Sequence, residues 1–511
     1  MGPDPGRGHG APVGGADPQP QDHAVDAGAG GPGHAHRGDP RDRATAARHS
    51  CNAGGVSLPT TPGEVERTVG LRARTGGTVS FSVGEIQGRR AVVIEIDGAD
   101  RGALRPADGE NLAIAARTAL DQRLPLVCFV SSSGAAIDEG VGAVHGWGTA
   151  ARQFVACSGI VPTIFCVTGP TVSGPALLLG LADIVIMVDD TYAFVSGPQM
   201  VRQFTGEDLS NDGLGGAAMH ARTSGVAHFT VADRADAVDL IGELLSYLPD
   251  HTDMAPPTWP CNDPVDRPTP EAGDLMPATA TGSYDVRDVV ACVVDDGHLL
   301  EPRSAWATNL VTAFATIGGR PLGIVANQPQ SMAGTLDIPA SQKGGRFVAF
   351  CDAFNLPLLT FVDTSGFYPG KDLEWRGMIR YGAQLAFAYA RATVPRVCLT
   401  LRKSYGGAYI VMDSRYMGND LMLAWPTAEI AVMGAKGAVE ILHRGADAEE
   451  RAELESAYEE RLLNPYIAAE RGSVDRVIDP ADTRAELAAA LDLLIGKRER
   501  IPRRRHDNSP L

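Results

Sequence analysis

The sequence predicts an α/β fold made of two tandem copies of one unit, and three observations carry that prediction. First, short runs rich in Val, Ile and Leu (AVVIEI, PLVCFV, TIFCV, DIVIMV) recur between stretches of helical length such as residues 111–122. Continuous apolar strands alternating with helices are strands covered on both faces. Second, residues 124–134 (LPLVCFVSSSG) match residues 356–366 (LPLLTFVDTSG), an offset of 232. Third, the matches continue in order. Gly102-Ala-Leu falls on Gly334-Thr-Leu at 232, Val161-Pro162 on Val394-Pro395 and Ser173-Gly174 on Gly406-Gly407 at 233, and Asp183 on Asp420 and Gly197 on Gly434 at 237. Chance supplies one such match, not an ordered series with so little drift.

The chain then divides as follows. Residues 1–55 are rich in Gly, Pro and His and read as a disordered tail, because the first 50 residues hold no Leu, Ile or aromatic side chain to bury. His34 and His36 in this tail could bind a metal, but a solvated tail is the simpler reading. Residues 56–254 form the first unit and 278–511 the second. Between them, residues 255–277 carry seven prolines and read as a linker.

Composition excludes several functions. At 511 residues the chain can build two sizeable cores, and its 44% apolar and 21% charged residues are ordinary for a soluble globular protein. A net charge of −17 argues against nucleic acid as the main partner, since phosphate binding wants a basic face. The Arg-rich stretch 497–505 is a local exception, read as a solvated or subunit-facing tail. The eight cysteines contain no CxxC pair, so no metal is expected, and several sit in apolar runs as small buried hydrophobes. That usage fits a reducing cytoplasm. No apolar run is long enough to span a bilayer and no signal-like segment opens the chain, so neither membrane insertion nor secretion is expected.

Each half offers the same pair of turns. A buried strand ends in a Ser/Gly turn, at Gly134 and at Gly366. A second strand ends in a small-residue turn that opens a helix, in GPTVSGPALLLGLAD from Gly169 and KSYGGAYIVM from Lys403. Glycine there lets the backbone approach a ligand, and free N–H groups at a helix start point outward. Two such turns could converge on one carbonyl oxygen as an oxyanion hole. The alternative is that the glycines merely permit tight turns. Four of them, symmetrically placed, favour the site.

GPTVSGPALLLGLADIVI resembles the glycine-rich helix opening of crotonases. Residues 56–511 as a whole resemble the carboxyltransferase β-subunit of biotin-dependent acyl-CoA carboxylases of the propionyl-CoA and acetyl-CoA type. SGVAHFTVADRADAVDLIGELLSYLP, RPLGIVANQP, RKSYGGAYIVM, LAWPTAEIAVMGAKGAVEILHR and LLNPYIAAERGSVDRVIDPADTR carry the likeness most specifically. The resemblance implies two tandem crotonase-like domains and a reaction: carboxybiotin, borne by a separate biotin carboxylase/biotin carrier subunit, delivers its carboxyl group to the α-carbon of an acyl-CoA. It also implies a dimer-based homo-oligomer, a hexamer by expectation. Gly407 and Ala408 match the family's C-half oxyanion donors, placed against biotin, and Ser133 and Gly134 match the N-half pair, placed against the thioester. Ile410 stands where the family sets acyl-chain size, and Gly174, Gly366 and Phe367 complete the substrate-binding set. None of the five lysines has a Met-Lys-Met setting, so biotin is not expected on this chain.

The departures from the family pattern lie in the N-half. Its S-G-G-A-R-I-Q-E-G is here SSGAAIDEG (residues 132–140), so Ser133 replaces a glycine, at a cost in strain if that residue needs φ > 0, and Ala136 replaces Arg. Its A-G-G is Val172-Ser-Gly followed by Pro175, which lacks an N–H. In the C-half, D-V-P-G-F appears as Asp363-Thr-Ser-Gly-Phe367. Three readings follow: an active carboxyltransferase with an unusual acyl substrate, a decarboxylase or transcarboxylase using the same site, and a non-catalytic assembly subunit. His145 reads as structural, Asp363 as functional or turn-capping, and Arg402-Lys403 as contacts to an anion or as interface ion pairs. The charged stretch 446–463 reads as a solvated helix.

Overall fold

A computed structural model describes residues 63–71, 77–96, 102–279, 281–502 and 508–510. The segment 1–55 lies outside the described residues, as do residues 503–505 of the Arg-rich end.

The N-half is an eight-stranded sheet. Its strands run β1 (Glu66–Leu71), β2 (Val79–Ile86), β3 (Arg89–Ile96), β4 (Leu126–Ser132), β5 (Thr163–Val172), β6 (Ile184–Val188) and β7 (Phe229–Val231), and the short strand Ala193–Phe194 pairs with the end of β5. The first three strands are antiparallel and the rest parallel. The C-half repeats the plan with β8 (Leu310–Ile317), β9 (Arg320–Asn327), β10 (Leu358–Thr364), β11 (Arg396–Tyr405), β12 (Leu421–Ala424) and β13 (Arg476–Val477), with Glu429–Ala431 beside β11. Parallel neighbours need helical crossovers. These are α1 (Pro106–Gln122) and α2 (Val141–Cys157) on either side of β4, a short α3 (Gly174–Leu179) after β5, and α4 (Arg234–Tyr247) after β7. In the C-half, α5 (Ile338–Ala353), α6 (Met378–Arg391) and α7 (Gly406–Val411) take the places of α1 to α3.

The repeat seen in sequence becomes strand register. Leu126 pairs with Thr163, and their counterparts in the second copy, Leu358 and Arg396, pair with each other in the same way. Each of these ladders then shifts at the same place, between Val130 and Ser132 and between Val362 and Thr364. The matched aspartates do one job twice. Asp183 Oδ2 accepts from the backbone N–H of Thr163 at 3.0 Å, and Asp420 Oδ2 from that of Arg396 at 2.9 Å. Each bond fixes the start of a strand that ends at a turn described below.

The parallel strands are buried along nearly their whole length, as their unbroken apolar runs require. Each fully buried Val, Leu, Ile or Phe contributes roughly 1.5–3 kcal/mol. One core is shared by both sheets: Ile241, Leu244 and Tyr247 of α4 pack in the same cluster as Phe314, Phe347 and Phe350 of the C-half. Polar contacts close the junction. Arg303 donates Nε to the Gly225 carbonyl at 2.6 Å and its N–H to that of His228 at 2.7 Å. Lys343, almost fully buried, donates to the carbonyls of Arg303 and Trp306 at 2.9 and 3.0 Å. Residues 255–277 lie along this structure: Trp259 Nε1 donates to the Ser246 carbonyl and Thr269 N–H to that of Ala481.

Candidate functional site

Both pairs of turns sit at the carboxyl ends of parallel strands, where an open α/β sheet presents its ligand crevice. In the N-half, Leu104 bridges to the turn after β4, accepting from Ala136 N–H at 2.9 Å. In the C-half, Leu336 does the same for Tyr368 at 2.9 Å. Ser133 is exposed and Gly134 is buried. The turn-opening hydroxyls hold the next glycine inward: Gly134 N–H donates to Ser132 Oγ at 3.2 Å, and Gly366 N–H to Thr364 Oγ1 at 3.3 Å. Ser133 does not carry the positive φ that a glycine replacement would suggest. In the N-half pair of turns that conformation falls on Gly134, with φ of 109°, and on Ser173, with φ of 63° and ψ of −133°. Its C-half counterpart is Gly406, with φ of 57°. A serine held there stores on the order of 1–3 kcal/mol.

The helix-opening turns then meet the Ser/Gly turns. A Cβ on Gly134 would lie 3.3 Å from the Cβ of Ser173, so the two N-half turns touch. In the C-half, a Cβ on Gly407 would lie 3.2 Å from the Phe367 ring, so Phe367 closes on α7 from the Ser/Gly turn. Gly407 is exposed and Ala408 is buried beneath it. The first N–H groups of a helix have no partner within it, which leaves those at Gly407 and Ala408 facing the turn. The N-half equivalents are Gly174 and Pro175, and proline has no N–H to offer.

An aromatic ring packs on this turn in both halves, but from different elements. Trp147 of α2 covers Gly174, whose Cβ would meet Trp147 Cδ1 at 3.0 Å and Nε1 at 3.1 Å. The motifs passed Trp147 over, because nothing in its local sequence tells that a helix crossing will bring it to the turn that follows the next strand. Leu177 and Ile410, at equivalent positions of α3 and α7, are 49% and 48% exposed, so both point a large apolar side chain outward.

Two apolar cavities flank α7. One of about 370 Å³ is lined by Phe367, Met378, Ile379, Gly382, Gly407 and Ile410. The other, of about 670 Å³, is lined by Tyr409, Ile410, Val432, Tyr458, Leu462 and Ile467 among others.

Two of the remaining polar candidates, Asp363 and Arg402, are structural. Asp363 is buried and accepts from Tyr284 Oη at 2.9 Å, Arg402 Nε at 3.0 Å and Lys403 N–H at 3.2 Å. Burial raises its carboxyl, an effect that Arg402 only partly offsets. Arg402 is thereby spent inside the C-half. The thiols of Cys157 and Cys166 are pushed up to about 12 by burial, which removes them as nucleophiles. Among the described residues, no group of three or more His, Cys, Asp or Glu is placed to hold a metal ion, and no helix is long and apolar enough to cross a membrane.

The decisive observation is a match of residues 64–509 to the carboxyl transferase domain family. The chain belongs to the carboxyl transferase family. It is a carboxyltransferase of the acyl-CoA carboxylase β-subunit type, an enzyme that moves a carboxyl group onto an acyl-CoA. The propionyl-CoA carboxylase beta chain of Saccharopolyspora erythraea is 44% identical over 456 residues, covering 85% of this chain and 84% of that one. The methylmalonyl-CoA carboxyltransferase 12S subunit of Propionibacterium freudenreichii subsp. shermanii is 46% identical over 394 residues, covering 76% and 75%. The crystal structure of transcarboxylase 12S, a hexamer with methylmalonyl-coenzyme A and methylmalonic acid bound, superposes with a TM-score of 0.83 at 42% identity, covering 85% of each chain. The carboxyltransferase has the tandem crotonase-like fold.

Proposed function

We propose that the two pairs of turns divide the reaction between them, the C-half serving the carboxyl donor and the N-half the acyl-CoA. In this reading biotin, borne by a partner biotin carboxylase/biotin carrier subunit, supplies the carboxyl group. The residues of the C-half fit such a group: Gly407 leaves its turn open to within reach of the main chain, and apolar cavities lie on both sides. There the N–H groups of Gly407 and Ala408 would hold the donor's oxygen. In the N-half, Ser133 and Gly174 would hold the thioester oxygen as charge develops on it; Gly134, expected beside Ser133 as the second donor, gives its N–H to Ser132 Oγ instead. Gly366 and Phe367 shape the C-half turn, and Ile410 borders both cavities, where it would limit the size of an acyl chain reaching across from the N-half site. An exposed Ile there favours an apolar acyl chain.

The observation that carries this reading is the duplication itself: two equivalent turn pairs, one per half, for two oxygens that become negatively charged. Each donor aimed at such an oxygen is worth on the order of 100- to 1000-fold in rate. We further infer a cytoplasmic, dimer-based homo-oligomer, a hexamer like that of transcarboxylase 12S.

The test combines the chain with a biotinylated partner subunit, ATP and labelled bicarbonate across a series of acyl-CoAs. Label in an acyl-CoA supports the reading. A stable complex that labels no acyl-CoA would point instead to an assembly role. The likeness to a methylmalonyl-CoA carboxyltransferase subunit favours one second reading, transfer out of a carboxylated thioester. Loss of label from methylmalonyl-CoA to the biotinylated partner, with no carboxylation from bicarbonate, would select it.

A further inference from the structure

The N-half turn lacks a donor that the C-half turn keeps. Ala408 presents a main-chain N–H near the start of α7, whereas Pro175 at the same place in α3 presents none. Gly134 N–H is held by Ser132 Oγ, Ser173 N–H by the Phe194 carbonyl and Ala176 N–H by the Ser173 carbonyl. Of the main chain around this turn, few donors are therefore left for a ligand.

One side chain stands where the loss occurs. Trp147 Nε1 is buried and has no hydrogen-bond partner among the described residues, and it lies 3.1 Å from the place a Cβ would take on Gly174. A buried, unpaired N–H is unfavourable and is rarely kept without a reason. In the C-half the ring packed on the turn is that of Phe367, a hydrocarbon, which offers no N–H at Gly407.

We propose that the indole N–H of Trp147 replaces the main-chain donor that Pro175 lacks, and donates to the thioester oxygen of the acyl-CoA in the N-half. This rests on the assignment of the thioester to the N-half made above. Trp147 is then a catalytic residue contributed by α2, and the serine–glycine–proline turn is workable because of it. The bond strengthens as the oxygen gains charge, so its loss falls mainly on kcat rather than on KM.

Trp147→Phe removes the N–H and keeps a ring over Gly174. The expected result is a fall in kcat on the order of 100-fold, with KM raised only by the much smaller, several-fold loss in binding given below. Pro175→Ala, which restores a main-chain N–H, is expected to recover most of that loss in the Trp147→Phe background. It recovers little in Trp147→Ala, where the packing on Gly174 is lost as well. Binding gives a second readout: butyryl-CoA binds Trp147→Phe several-fold more weakly than wild type, while S-butyl-CoA, which has no thioester oxygen, binds both alike. A fully active Trp147→Phe enzyme overturns the proposal and leaves the carboxyltransferase reading standing. If the wild-type complex carboxylates no acyl-CoA, that reading fails, and the paired binding constants alone decide the role of the indole. A protein that binds neither ligand overturns both.

Discussion

The two helix-opening turns are the same piece of backbone with different side chains. The C-half runs Gly406-Gly407-Ala408 under Phe367, and the N-half runs Ser173-Gly174-Pro175 under Trp147. Backbone path, sheet position and the half-exposed apolar residue further along the helix are kept. What changed is the strain, carried by Ser173, and the donor count, lowered by Pro175. A duplicated scaffold can thus hold a turn in place while its chemistry drifts, because the strands and the aspartates at their starts fix the path independently of the turn residues.

The largest expected effect tests whether the C-half turn is the more demanding. Gly407→Val puts a branched side chain against Phe367 and across the open turn, and should lower carboxyl transfer by 1000-fold or more, on the order of 4 kcal/mol. Transfer rates with a saturating acyl-CoA measure it, and near-normal activity would remove Gly407 from the site.

The strand starts provide the next contrast. Thr163 is tied to Asp183 through its hydroxyl at 2.8 Å, whereas Arg396 is fully buried and paired with Asp413 at 2.5 Å. Burial pushes Asp413 up to about 6. Arg396→Met strands a buried carboxylate and should cost about 3–5 kcal/mol, against about 1–2 kcal/mol for Thr163→Val. Denaturant unfolding at pH 7.5 would show both. Equal losses would mean that the two halves use this position alike.

A smaller effect concerns the junction. Burial lowers Lys343 to about 8, from an ordinary value near 10.5. The folded chain therefore sheds this proton before the unfolded chain does. The cost of the buried ammonium is fully felt below pH 8 and is relieved as pH rises from about 8 to 10.5. Relative to Lys343→Met, the wild type should gain stability across that window, on the order of 2 kcal/mol. Parallel curves for the two proteins would contradict it. The smallest effect is expected at Ser173→Gly, which relaxes the strained φ and should raise stability by about 1 kcal/mol in thermal unfolding.

Much of this was legible in the sequence. The constant offsets between the two copies became strand register, a shared ladder irregularity and a repeated aspartate contact, since register is set by the same apolar runs that made the repeat visible. The turns themselves were legible from their glycines. Trp147 was not, because its role comes from a helix crossing. Nor was the strain at Ser173, which the residue pattern placed at Ser133; φ is decided by how a turn docks, not by which residue replaces a glycine. Asp363 and Arg402 looked available to a ligand in sequence, and they turn out to be bonded to each other, with Asp363 also held by Tyr284.

The aromatic seam of Tyr247, Phe314 and Phe350, with ring centroids 5.8 Å apart on each side of Phe314, has a consequence for how the enzyme is made. Each half closes one part of its core with its own residues, but the part beneath this seam is closed only against the other half. A ribosome that has finished only the first copy holds a chain with an uncapped oily face. Complete burial of the first copy therefore waits for the second.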